Sequence, residues 1–501
     1  MSTSAYSKLT SIFERTGRLY GATQTLFWES RTMMPPGGVD SRAKILATLE
    51  TVINETLCAP EVGELLDSAE SQERSQLDSW QAANLREMRR RWRFATAVPT
   101  DLLGAIVERA GHAQKAWERA RANNDFKSFV APLRALMELQ IEATRIKAKA
   151  FGLAPYDVLL DEYEPGARMA SVDPMFNDLA DFLPGLLGEI MEKQRKSPAA
   201  MPLPGPFAEP DQHTLCEKLA RSIGFDFTHG RLDKTAHPFA SGVPGDIRIT
   251  TRFNANDLKV CIQATVHETG HAMYEAGLPA AWAFQPVGSA RGAQMHESQS
   301  LIFEMQAGRS AHFVRHLARL LRESFGGQGD AWSDENVRRL YLAVSPSFIR
   351  VDADEVTYPL HVILRYRLER AILDGTLQVA DIPAAWNELS KKLIGVVPPT
   401  DTLGCLQDIH WAMGLFGYFP TYTLGAMTAA QLFARARQDD PDLLPKLSQG
   451  DFSSLLSWTR THVHSLGSFH ATGDEMLVRA TGKPLSTAAF KEHLAQRYLA
   501  N

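Results

Sequence analysis

The sequence predicts a mostly α-helical fold carrying one small β-sheet, and three stretches predict it. From about residue 61 to 151 the chain is rich in Ala, Leu, Glu, Arg and Gln and poor in Gly. Apolar residues there recur at intervals of three and four, as in Leu133, Leu136, Met137, Leu139 and Ile141. Residues 225 to 255 differ: FDFTHGRLD and DIRITTRF alternate and are β-rich in character, which fits two or three short strands. Downstream of 257 the helical pattern returns and runs to the end.

Residues 6 to 22 and 39 to 56 read as helices separated by the breaker MMPPGG, with Asp40 as N-cap of the second. Three or four long amphipathic helices follow to about 151. RRRWRF (Arg89 to Phe94) reads as a solvated helix face balanced by nearby acids. A short helix at 155 to 168 ends at Pro165-Gly166, and another spans roughly 173 to 196. SPAAMPLPGPFAEP (Ser197 to Pro210) is a Pro-rich loop, not a domain boundary, because helices of the same character resume at 211. Later breaks fall at GGQGD, VVPPTD and FGYFPTYTLG (Phe416 to Gly425).

Composition bounds the class. The chain has 501 residues, 44% hydrophobic and 22% charged, as in ordinary soluble proteins. A formal net charge of -5 provides no basic field for nucleic acid or a membrane surface. The four cysteines, Cys58, Cys216, Cys261 and Cys405, form no CxxC pair and read as reduced thiols. Cys261 is expected to be buried as a small apolar side chain. No stretch approaches the roughly 18 apolar residues of a membrane span, and the first residues lack a signal-peptide core. The expected location is the cytoplasm.

One stretch carries chemistry. VHETGHAMY contains His-Glu-x-x-His: on a helix, His267 and His271 project from one face and can share a zinc ion, with Glu268 within reach of a metal-held water. The preceding VCIQATV is apolar, so the helix is expected to be buried, where unpaired histidines are costly. A third ligand is needed. The metzincin continuation would place glycine at Tyr274 and histidine at Gly277, and neither is present. Glu297, in MHESQSLIFEM, can reach back from a following helix. Glu275 is a rival, but it drifts round the helix from His271. Glu304, two turns after Glu297, suits a supporting partner.

Three protein ligands leave a fourth position for water, whose pKa zinc lowers towards about 7. Glu268 takes the proton and later passes it to the leaving group. A developing oxyanion needs a donor: a neutral group or an imidazolium among His410 in QDIHW and Tyr418 and Tyr422 in GYFPTY. An edge strand beside the metal helix can hold an extended peptide by main-chain pairing. The metal can be zinc or, as a substitute, cobalt.

Several ordered segments resemble the carboxypeptidase Taq family of zinc metallocarboxypeptidases. His237-Pro238-Phe239 is similar to its HPF, Asp246 to Thr251 to DxRITT, and His267 to His271 to its HExxH. His296 to Gln299 is similar to HES-Q, Ile349 to Glu355 to IRxxADE, and Gly404 to Trp411 to GxxQDxHW. MMPPGG and DEYEPG also look like family segments. One departure is Trp28-Glu29, where the family often has Trp-Asp; it is expected to touch packing.

The resemblance implies a large helical metallopeptidase fold with a deep groove and a small sheet beside the zinc helix, and a homodimer. It implies release of single C-terminal residues from peptides, with broad specificity and proline disfavoured. It assigns one zinc per chain to His267, His271 and Glu297, and the general base to Glu268. Arg350 would grip the substrate carboxylate, which suits a guanidinium fork. Residues alone also allow an ion pair of Arg350 with Asp352 or Asp354. The expected organisation is one peptidase domain over 1–501, with a helical half to about 210 and a catalytic half from about 211.

A second similarity bears on the donors. Helical zinc oligopeptidases resembling thimet oligopeptidase carry a histidine followed twelve residues later by a tyrosine in a Gly-Tyr-rich loop, as His410 precedes Tyr422. By that analogy Tyr422 is the oxyanion donor, His410 helps bind substrate, and His237 lines the groove. An endo-acting oligopeptidase is the alternative function, and a non-catalytic metal-binding scaffold a remote one.

Overall fold

The computed structural model describes residues 4–500. In chain order the first helices are α1 (Ala5–Thr32), α2 (Val39–Cys58), α3 (Pro60–Ser68), α4 (Ser79–Thr96), α5 (Thr100–Asn123) and α6 (Phe126–Phe151). Then come α7 (Pro155–Tyr163), α8 (Met169–Lys196) and α9 (Glu209–Ile223). Strands β1 (Gly230–Lys234), β2 (Ala240–Val243) and β3 (Asp246–Thr251) follow. Next are α10 (Leu258–Gly277), α11 (Gly292–Leu301), α12 (Ala311–Phe325), α13 (Asp334–Tyr341), α14 (Tyr358–Leu373) and α15 (Ile382–Leu393). The chain closes with α16 (Pro420–Asp439), α17 (Leu443–Leu447), α18 (Ser453–His462), α19 (Gly473–Thr481) and α20 (Ala488–Tyr498).

Three boundaries differ from expectation. The first helix runs past residue 22 to Thr32, because nothing breaks it before the prolines of MMPPGG remove its donors. Asp40 is not the cap of α2: a tight turn over Pro36–Gly38 leads straight into Val39, with Gly38 at the cap. Asp40 stands one residue inside, where its charge suits the positive helix end. FGYFPTYTLG is only half a loop, since α16 starts at Pro420 and puts Tyr422 on its first turn.

The chain forms two compact units, each assembled from three segments. The first comprises Met1–Ala95, Ala200–Leu342 and Thr428–Leu485. Leu9, Phe13, Val62, Leu66, Leu85 and Met88 form one cluster of its core. Glu73 caps α1 by accepting the backbone N–H groups of Ala5 and Tyr6 at 2.7 and 3.1 Å. The second comprises Thr96–Ala199, Ala343–Met427 and Ser486–Asn501. Its core includes Leu133, Leu136, Phe176, Leu179, Leu183 and Ile363. Among the described residues no helix is long and apolar enough to cross a membrane.

The sheet belongs to the first unit and has the order β1-β3-β2. β3, the DIRITT segment, is central: it pairs parallel to β1 and antiparallel to β2. Thr250 and Thr251 are fully buried. Thr250 Oγ1 donates to the carbonyl of Phe239 and accepts that residue's N–H, tying the HPF segment to the sheet. Thr251 Oγ1 donates to the carbonyl of Cys261 at 3.2 Å and accepts from Thr265 Oγ1 at 3.1 Å, fastening β3 to α10. Cys261 is buried, as expected. So is Trp28, whose ring is covered by the guanidinium of Arg248 at 4.1 Å, while the neighbouring Glu29 pairs with Arg42.

Candidate active site

In the first unit, α10 starts where Asp257 accepts the Lys259 N–H at 2.9 Å. It buries Leu258, Cys261, Ile262, Thr265, Val266 and Thr269. Gly270, between Glu268 and His271, lies against the end of α11: a Cβ there would come within 2.6 Å of Gln299 O and Ser300 Cα. Only glycine lets the two helices meet so closely, and that approach delivers Glu297 to the histidine pair.

One ligand atom each from His267, His271 and Glu297 lie within 4.8 Å of one another. His271 Nε2 is 3.7 Å from Glu297 Oε2. Donors about 2.1 Å from a tetrahedral ion stand roughly 3.4 Å apart, so small side-chain adjustments close this set on a metal. Two imidazoles and a carboxylate suit zinc chemically.

The surrounding charges fit a cation as well. Glu268, Glu297 and Glu304 cluster there, and Arg309 pairs with Glu304. Burial alone would depress His267, but Glu304, Glu297 and Glu268 outweigh it and hold this histidine up at about 10. A field that strongly favours positive charge is what a divalent ion would meet. Glu268 is 7% exposed, and burial, helped by the Glu297 charge, pushes its carboxyl up to about 7 against the pull of His267. His271 is held well below its usual range by burial and by His296 and His267.

Behind each histidine stands a different support. His267 Nδ1 is 3.2 Å from Glu304 Oε2, the supporting position expected for Glu304. Glu304 lies on a wide helical turn, Ile302–Ala307, that prolongs α11. His271 Nδ1 faces His296 Nδ1 at 2.7 Å, and His296 Nε2 faces Glu275 Oε1 at 2.8 Å. Glu275 therefore pairs with His296. Sequence reasoning quoted His296 only as part of a motif and missed Arg309; the i, i+5 spacing of Glu304 and Arg309 on an irregular turn gave no periodic signal.

His237 also belongs to the first unit. It is exposed, three residues before edge strand β2.

The second unit gathers Arg350, His410, Tyr418 and Tyr422. Arg350 is 5% exposed and pairs with neither Asp352 nor Asp354. Asp354 instead accepts the N–H groups of Ser345, Val356 and Thr357, and Asp352 is exposed. The partner of Arg350 is Asp408: Nη2 and Nε donate to Oδ1 at 2.9 and 3.1 Å, and Nη1 donates to Tyr358 Oη at 3.2 Å. Gln407 accepts the backbone N–H of Arg350 at 2.8 Å and donates to Phe348 O, so IRxxADE and GxxQDxHW interlock.

Asp408 also takes the fully buried Arg365 on its other oxygen, at 2.7 Å from Nε. Burial opposes ionisation of Asp408, but Arg365 and Arg350 hold it below the usual carboxylate range.

Tyr422 Oη is 3.5 Å from His410 Nε2, and the Tyr418 ring stacks on the His410 ring at 5.9 Å. Burial, with Arg350 and Arg365 adding to it against the pull of Asp408, lowers His410 to about 4. This environment favours the neutral imidazole over the imidazolium.

Known proteins resemble the chain over nearly its whole length. The model of the Carboxypeptidase Taq (M32) metallopeptidase family matches residues 8–498. Thermostable carboxypeptidase 1 of Thermus thermophilus is 37% identical over 99% of this chain and 98% of its own. Carboxypeptidase 1 of Bacillus subtilis is 33% identical over 97% and 96%. The solved structure of Trypanosoma cruzi metallocarboxypeptidase 1 superposes with a TM-score of 0.96 at 38% identity, covering 99% of each chain.

Proposed function

Since the chain belongs to the carboxypeptidase Taq family of metallopeptidases and is a metallocarboxypeptidase, we propose that it uses one zinc ion per chain, held by His267, His271 and Glu297, to release single residues from the C-termini of peptides. The observation that carries this is the His267–His271–Glu297 group with Glu268 buried beside it. Broad specificity with proline disfavoured, a homodimer and a cytoplasmic setting complete the reading, on the family resemblance.

A zinc ion in that group supplies Lewis acidity towards the scissile carbonyl and the attacking water. The chain's own residues do the rest. Glu268, whose carboxyl is raised towards 7, is suited to take the water's proton and hand it to the leaving amine. Arg350 recognises the substrate's terminal carboxylate. In its favour, the buried Arg350 shares the single carboxylate of Asp408 with Arg365. Tyr422 donates to the oxyanion, with neutral His410 as its neighbour. His410, Tyr418 and His237 contact substrate.

Digestion of a peptide mixture with and without chelator, read by mass spectrometry, tests this. Stepwise loss from C-termini, abolished by chelator and restored by zinc, is the expected result. Chelator-resistant cleavage would remove the metal reading. Fragments from internal cuts would favour the endo-acting alternative.

A further inference from the structure

We propose that His296 is a positioning residue of the metal centre: it holds His271 in the one tautomer that presents Nε2 to the metal, and Glu275 fixes the proton on His296 in turn. This rests on the reading of His267, His271 and Glu297 as ligands.

The geometry carries the argument. The Nδ1 atoms of His271 and His296 are 2.7 Å apart. At that distance one must donate and the other accept. His271 Nε2 lies on the Glu297 side, 3.7 Å from Oε2. A neutral imidazole that gives its Nε2 lone pair to a metal keeps its proton on Nδ1. His271 is then the donor and His296 Nδ1 the acceptor. The proton of His296 is left on Nε2, where Glu275 Oε1 receives it at 2.8 Å.

The contrast with His267 shows why the third group is needed. Glu304, an ionised carboxylate, can only accept, so it imposes the Nδ1–H tautomer on His267 by itself. An imidazole can donate or accept. Without Glu275, His296 is free to carry its proton on Nδ1. His271 Nδ1 would then have to accept, its proton would move to Nε2, and the ligand lone pair would be lost.

The side chains of His296 and Glu275 are 30% and 35% exposed, so changing them empties no closed core. The test is the zinc dissociation constant of the full chain, measured by competition with a chromophoric chelator, alongside thermal unfolding of the metal-free chains. His296→Leu is expected to bind zinc about 10- to 100-fold more weakly, the usual scale for a metal ligand's outer partner. His296→Gln, whose amide can accept from His271 and donate to Glu275, is expected to recover most of that loss. Glu275→Leu should weaken zinc about 10-fold, and Glu275→Gln less. Metal-free unfolding temperatures should stay together. Parental affinity in His296→Leu, or equal losses in His296→Leu and His296→Gln, overturns the proposal. Should His296→Leu not fold, equal affinities of Glu275→Leu and the parent overturn it. His271→Ala separates the two readings: if that variant keeps parental affinity, the ligand set itself is wrong.

Discussion

Asp408 stands between Arg350 and Arg365, giving one carboxylate oxygen to each guanidinium, 2.9 Å from Arg350 Nη2 and 2.7 Å from Arg365 Nε. Arg350 lies in a different motif from the aspartate that orients it, and Arg365 lies in α14, outside both motifs. All three side chains are nearly or fully buried, so the arrangement fixes the direction of the Arg350 fork.

Asp408→Asn should therefore be costly. It leaves two buried guanidinium groups without a counter-charge, a change that typically destabilises by about 3–5 kcal/mol. Denaturant titration of the variant is expected to show a loss of that order. A parental midpoint would mean that the arginines are neutralised by something else.

Glu268→Gln should separate binding from chemistry. The amide keeps the shape but cannot accept a proton, so turnover should fall about 100- to 10,000-fold. Zinc stoichiometry, measured by elemental analysis, should remain one per chain. Full activity in this variant would remove Glu268 from the mechanism.

Gly270→Ala places a methyl group where Gln299 O and Ser300 Cα already stand at 2.6 Å. The α11 segment must move away from α10, taking Glu297 with it. A loss of about 1–3 kcal/mol of stability, the usual cost of overpacking, should accompany weaker zinc binding. Unchanged zinc affinity in a folded Gly270→Ala chain would show that the close approach does not set the ligand geometry.

Glu369 predicts a pH dependence of stability. It is 1% exposed and accepts from Tyr156 Oη, Trp411 Nε1 and the Gly417 N–H. Burial nevertheless outweighs these bonds and raises it to about 7. A carboxyl whose folded pKa lies above its unfolded value binds its proton more tightly when folded. Its contribution is thus most favourable below about pH 4.5 and is lost as pH rises towards 7. Relative to Glu369→Gln, the parent should lose a few kcal/mol over that window, read from unfolding midpoints at several pH values. Parallel pH profiles would contradict this.

Local signals carried much of this architecture. Three-and-four spacing marked α6, alternation marked β3, and His-Glu-x-x-His marked the face of α10 that carries the candidate ligands. Tyr274 and Gly277 exclude the metzincin continuation, and Glu297 lies beside the histidine pair. Other features depend on which distant segments meet. Nothing near Arg350 points to Asp408, and the adjacent Asp352 and Asp354 were the natural candidates. The His271–His296 contact arises only because Gly270 lets α11 lie close to α10. The expected end of α1 at residue 22 falls short of Thr32 because its last ten residues, TQTLFWESRT, show no strong periodicity.

In the proposed function, which end of a peptide is cut rests on Arg350, and one comparison tests it most directly. Matched peptides bearing a free or an amidated C-terminus are incubated with the zinc-loaded chain and kcat/KM is measured for each. The amide lacks the charge that a guanidinium fork grips, so its kcat/KM should fall by about 30-fold or more, the scale of a lost charge-assisted contact. Arg350→Ala should erase most of that difference. Equal rates for the two peptides, with cleavage at internal bonds, would contradict the assignment.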